Sequence, residues 1–341
     1  LTRHSSANPA FMTSQINKSQ TLKELQQILL RVPALQQTLA SSGVTARHIG
    51  ETISCITDVL TTRLIEIAQE EMGPEPVPFV WVSGGSQARH EQSSHSDQDN
   101  ALIISDNVTE KDMPYFTELA KRVCDGLNSC GFVYCPGDAM AMNPKWCQPF
   151  SVWQDYFRDW IEKPDPMALM LSCIFFDLRP VHGEFKLHKK LHREMLELTA
   201  KNSLFIAHMV TNALKHKPPV GFFRTFVLIH DGEHDNTFDI KHRGIVPITD
   251  VARVLALAEG INKVNTTERI EALSKTKSMS KEMAVNLLDA LEFIANLRIK
   301  HQADQIRNNK APDNYMPPDD LSSLERKHLK DSFSIIKEAQ D

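Results

Sequence analysis

Residues 81–104 read Trp81-Val-Ser-Gly-Gly-Ser-Gln-Ala-Arg-His-Glu-Gln-Ser-Ser-His-Ser-Asp-Gln-Asp-Asn-Ala-Leu-Ile-Ile104. Phe79 to Val82 are aromatic and β-branched and suit a buried strand. Gly84 and Gly85 allow a tight turn and a close approach of backbone to a ligand. Ser86 to Glu91 then reads as a helix start, whose free N–H groups form a seat for an anion such as phosphate. Ala101 to Ile104 is the apolar body of a second strand, opened by Asp97 and Asp99. Two residues apart on a strand, those side chains leave the same face, roughly 7 Å apart along the backbone. That spacing suits hard divalent cations about 4 Å apart that take oxygen ligands.

Each part alone has an ordinary reading: Gly-Gly-Ser as a plain turn, Asp-x-Asp as a solvated strand end. Their order and spacing together resemble the Gly-Ser…Asp-x-Asp signature of the DNA polymerase β-like nucleotidyltransferase superfamily. The interior pattern, Gly-Ser-x-x-Arg-x-Glu-Gln…Asp-Gln-Asp-Asn-Ala, resembles one branch of it more closely. Members of that branch are often fused to CBS and cyclic-nucleotide-binding domains and are related to the uridylyltransferases of the PII regulatory protein. Gly85, Ser86, Arg89, Glu91, Asp97 and Asp99 fall on its motif positions, while Ala88 and His90 stand where relatives often have glycine. The resemblance implies an α+β polymerase β-like core, a small mixed sheet with flanking helices. It further implies two Mg²⁺ ions, with Mn²⁺ as a substitute, and transfer of a nucleoside monophosphate from a triphosphate to a hydroxyl. The acceptor would be a protein, as in uridylylation, or a small molecule, in a signalling setting.

With 341 residues, 41% hydrophobic and 24% charged, the composition is that of an ordinary soluble globular chain with room for two or three compact units. A net charge of −5 argues against a broad nucleic-acid-binding face. Six cysteines without a Cys-x-x-Cys pair argue against a disulfide framework or zinc ribbon, and Cys130 and Cys135 read as buried thiols. No apolar run reaches membrane-spanning length, and the first residues lack a signal-peptide core, so the expected location is cytoplasmic. The chain opens on Leu1 and a polar stretch, which suggests upstream domains, CBS or cyclic-nucleotide-binding by the resemblance.

Residues 1–20 are expected to be a polar tether. Leu22 to Leu39 and Ile49 to Ile67 carry helical apolar stripes, the first split or kinked at Pro33, so residues 21–73 form a helical hairpin. The nucleotidyltransferase core is placed at 74–183 and a C-terminal helical domain at 184–341. Within the core, Asp112 to Ser129 and Val152 to Ile161 read as helices, Phe132 to Tyr134 and Cys173 to Val181 as strands, and Pro136 to Pro149 as a loop. Further on, Asp235 to Thr249 reads as a loop or hairpin, and a closing helix is capped at Asp319 or Asp320.

Two-metal chemistry calls for a third carboxylate. Asp177 is the candidate because an unpaired acid in an apolar strand is costly. From spacing alone, Asp177 is equally a partner of Arg179 in an ion pair. The resemblance favours the metal role, since the branch carries an Asp-x-Arg element after its Asp-x-Asp. Arg89 clamps a triphosphate or pairs with Glu91 or another acid. Ser86 bonds a phosphate or caps its helix. In the loop after Cys135, Lys145 is a natural phosphate partner, whereas Trp146 reads chiefly as an anchor to the core. The basic run Lys241-His-Arg243 is read as solvated surface, and His230-Asp231 as a loop pair, not a hydrolase centre. Two other classes stay open: a silent nucleotide-binding regulatory module, and a helical protein-interaction module.

Overall fold

The computed structural model describes residues 8–221 and 225–341. The chain divides into two compact units, Leu1–Leu39 with His48–Leu198, and Ala40–Arg47 with Thr199–Asp341.

The first unit is built on a four-stranded mixed sheet in the order β3-β2-β1-β4. Strands β1 (Phe79–Ser83) and β2 (Asn100–Ile104) are fully buried and antiparallel, with Trp81 opposite Leu102. β4 (Arg179–Gly183) runs antiparallel along the other side of β1 with a register shift between Trp81 and Val82. It contains Pro180, which an edge strand tolerates because one side of its backbone needs no ladder partner. β3 (Cys147–Pro149) adds to β2 in parallel. This is the expected α+β core, assembled from somewhat different pieces. Residues 147–149, expected as loop, satisfy the outer edge of β2, whereas Tyr134 contributes only an isolated bridge to Gln98.

The segment Cys173 to Val181 is not one strand. Residues Pro166–Phe175 form a helix, opened by the Asp165 side chain accepting from Ala168 N–H and by proline in the first turn. A short apolar run reads equally as strand or buried helix by periodicity; here the cap decides. Asp177 therefore lies in the turn between that helix and β4.

Helix Ala46–Met72, which takes in the second apolar stripe, ends before Gly73, and the first stripe is split into Leu22–Leu29 and Val32–Ser41. Residues Pro9–Lys18, expected as tether, form a helix capped by Asn8, with Met12 and Ile16 one turn apart and buried. The helices Met113–Ser129 and Phe150–Glu162 arise where expected.

The second unit is mainly helical. Its longest members, Lys281–Arg307 and Ser323–Gln340, enclose a core with Phe238, Ile294 and Phe333 at its centre. The expected loop or hairpin at 235–249 is instead a two-residue strand, Phe238–Asp239, paired with Tyr315–Met316. A wide helical turn, Lys241–Ile245, then runs into helix Val246–Ala258. The closing helix is capped by Ser322, not Asp319 or Asp320, because Ser322 and Glu325 form a reciprocal capping box. No helix among the described residues is long and apolar enough to cross a membrane.

Candidate active site

Gln98 and Asn100 orient the two motif aspartates. Both are buried, and their amides bind inward: Gln98 donates to the Cys124 and Phe132 carbonyls, and Asn100 accepts from Ala141 N–H at 2.8 Å. Alternation along an extended chain then turns Asp97 and Asp99 to the opposite side, where both are half-buried. The amides that place them sit inside the motif but carried no chemistry in the sequence reading.

Backbone ties lay the glycine turn against Asp99. Gly84 N–H donates to the Asp99 carbonyl at 2.8 Å. Gly85 has φ +53°, a left-handed conformation that favours glycine, and a Cβ there would overlap Asp99 Oδ2. Both reasons require glycine at the point where loop and carboxylate meet. The helix that follows, Gly85–Ala88, is a single turn with no side-chain cap. Ser86 is half-buried, and its hydroxyl has no partner among the described residues.

The remaining motif residues brace the turn. Arg89 Nε donates to Glu91 at 2.8 Å and its Nη1 to Asp177 at 2.9 Å. Arg179 grips Asp58 through two nitrogens, at 2.8 and 2.9 Å, and donates to the Gln87 and Ala88 carbonyls, both at 3.1 Å. Gln87 also donates to Asp58. Of the two readings open for Arg89, the structure displays the ion pairs, and Asp177 pairs with Arg89, not Arg179. A carboxylate with no exposed side-chain surface needs such a partner. The turn rests on helix Ala46–Met72 at Gly50, where a Cβ would crowd the His90 carbonyl. His90 holds φ +58°, in the left-handed region.

Among the described residues, one group of side chains has metal-ligand spacing: Asp97, Asp99 and Cys135, with ligand atoms all within 4.8 Å of one another. Asp177 is not in it. Cys135 is brought there by the loop that Asn100 pins through Ala139 and Ala141. Burial first, then the charge of Asp99 and a hydrogen bond to it, push the thiol up to about 12. Its place beside the aspartates was missed because a single cysteine 36 residues beyond Asp99 has no spacing signal. The loop's Trp146 is anchored in the core, donating to the Asp138 carbonyl and packing on Phe175 with ring centroids 4.3 Å apart. Lys145 next to it is exposed. His230 and Asp231 belong to no metal-spaced group among the described residues.

Two family descriptions match the chain. Residues 30–167 match "Putative nucleotidyltransferase DUF294", and residues 203–341 match "Putative nucleotidyltransferase substrate binding domain". No curated protein matched.

Proposed function

Since the chain belongs to this nucleotidyltransferase family over residues 30–167 and 203–341, we propose that it transfers a nucleoside monophosphate from a nucleoside triphosphate to an acceptor hydroxyl. The observation that carries this reading is the close approach of the Asp99 carboxylate to Gly85, which sets the glycine turn directly beside a metal-spaced group. The donor set fits a divalent ion, with two carboxylate oxygens already converging. Asp97 and Asp99 would hold it. When bound, such ions neutralise charge building on the phosphates as pyrophosphate leaves. Mg²⁺, with Mn²⁺ as a substitute, is the expected ion for oxygen ligands.

The chain's own contribution is orientation. The N–H groups of Gly85 and Ser86, the first of a helical turn, and the Ser86 hydroxyl are available to non-bridging phosphate oxygens. Arg179 and Asp58 hold that turn rigid from behind, and Arg89 links it to Asp177. In the reaction, the acceptor oxygen bonds to the α-phosphorus, the bond to pyrophosphate breaks, and the hydroxyl proton is released. Lys145, exposed on the loop after Cys135, would supply a further positive charge to a phosphate in this reading. The acceptor is a protein or small-molecule hydroxyl.

Calorimetric titration of each triphosphate with Mg²⁺ or Mn²⁺, paired with pyrophosphate release from an α-labelled triphosphate, tests the proposal. Metal-dependent binding and slow release, both lost in the Asp97→Asn/Asp99→Asn double variant, are expected. Binding that survives the double variant would sink the assignment. The engagement of Arg89 by two carboxylates favours one second reading, a silent nucleotide-binding module. Tight binding without release, across all four triphosphates and a panel of acceptors, would establish it.

A further inference from the structure

Two carboxylates would suffice to seat a magnesium ion, yet the third ligand atom converging on them is sulfur. Hard ions such as Mg²⁺ take oxygen at about 2.0 to 2.1 Å and gain little from a thiolate. Zinc bonds sulfur at about 2.3 Å and carboxylate oxygen at about 2.0 to 2.2 Å, so ligand atoms sharing one tetrahedral zinc lie about 3.5 Å apart. The three atoms here lie within 4.8 Å of one another. Closing that gap takes side-chain movements of about 1 Å, within the reach of rotamer adjustment for half-buried groups. The Cys135 backbone is already placed: its carbonyl accepts from Asp138 N–H, and the following residues are held by Asn100.

We propose that Cys135 is a third ligand of the Asp97–Asp99 centre and makes it a site for a thiophilic divalent ion of the zinc and cobalt class, in preference to Mg²⁺. The inference rests on the reading that Asp97 and Asp99 hold a divalent ion, and it adds which ion the site selects. Three protein ligands leave the fourth tetrahedral position open, the pattern of zinc sites that accept water or substrate. On binding, the sulfur–metal bond forms and the thiol proton, now shared with Asp99, leaves to solvent. The consequence for the proposed transfer is competition: a thiophilic ion at this centre displaces Mg²⁺ and holds the two aspartates against Cys135.

The test is titration of the full chain with Co²⁺, read by the sulfur-to-cobalt charge-transfer absorption that only thiolate ligation produces. The band should appear at one equivalent, be bleached by Zn²⁺, and persist in a large excess of Mg²⁺. Cys135→Ser should abolish the band and weaken Co²⁺ binding by about tenfold or more, about 1.4 kcal/mol. It should leave the circular dichroism unchanged. Asp99→Asn should raise the Co²⁺ concentration needed to develop the band while leaving the thiol in place. The other five cysteines serve as an internal control, since none of them lies in a metal-spaced group among the described residues. A band that survives Cys135→Ser, Co²⁺ binding without a band, displacement by Mg²⁺, or a band indifferent to the aspartates would each overturn the proposal. An intact band with no triphosphate turnover in Mg²⁺ alone would sink the transferase reading alone, and metal-dependent triphosphate binding with no band would sink only the role of Cys135.

Discussion

Replacing Asp177 with Asn separates a brace from a metal ligand. Asp177 has no exposed side-chain surface and accepts from Arg89, itself 13% exposed, at 2.9 Å. Breaking a buried ion pair from one side costs about 3 to 5 kcal/mol, because the remaining charge is left without its partner. Arg89 retains Glu91 at 2.8 Å, so the expected loss is about 2 to 3 kcal/mol, below or at the low end of that range. For a unit of this size, that lowers the melting temperature by roughly 4 to 12 °C. Urea unfolding followed by tryptophan fluorescence is the direct assay, since Trp81, Trp146, Trp153 and Trp160 all belong to the first unit. An Arg89→Met/Asp177→Asn cycle should show coupling of about 1 to 3 kcal/mol. Co²⁺ or Mn²⁺ affinity should change little, because Asp177 stands outside the metal-spaced group. A variant as stable as the parent, but with metal affinity lost, would refute the brace and return Asp177 to the metal.

Gly85→Ala should lose about 1 to 2 kcal/mol from its left-handed backbone. Its Cβ would also push the Asp99 carboxylate aside, so Mn²⁺ affinity should fall about tenfold or more; unchanged affinity would show that loop and carboxylate are not coupled. Burial above all, then the adjacent His192, pulls the His188 imidazole from 6.5 down to about 3. Its neutral ring lies 3.0 Å from the Leu178 carbonyl. Between those two values the unfolded chain takes up a proton that the folded chain refuses. Stability is therefore full above pH 6.5 and falls by about 1.4 kcal/mol per pH unit toward pH 3. His188→Gln should flatten that acid limb in tryptophan-monitored urea curves; an unaltered slope would exclude His188 as its source.

The strands β1 and β2, the glycine turn, the aspartate pair and the main helical stripes were legible along the chain because each is a local pattern. Alternation, apolar spacing and turn chemistry are carried by residues a few positions apart. The segment before β4 was misread because a short, mostly apolar run satisfies helix and strand alike, and a cap, not a period, chose between them. The site was legible only as far as its local motif. Asp97, Asp99, Gly85 and Ser86 announce themselves by spacing, whereas the partners of Arg89, Arg179 and Asp177 lie up to 121 residues apart in sequence.

The sequence by itself determined where a glycine turn and two carboxylates would meet, since both sit on one hairpin-like segment. Only the tertiary structure decided which charged groups are spent on bracing and which face the site. A buried charge must find a counter-charge wherever the fold provides one, so Asp177 went to Arg89 and Arg179 to Asp58. The same packing brought Cys135 to the aspartates, a juxtaposition no spacing rule encodes because a pinned loop, not a repeat, creates it.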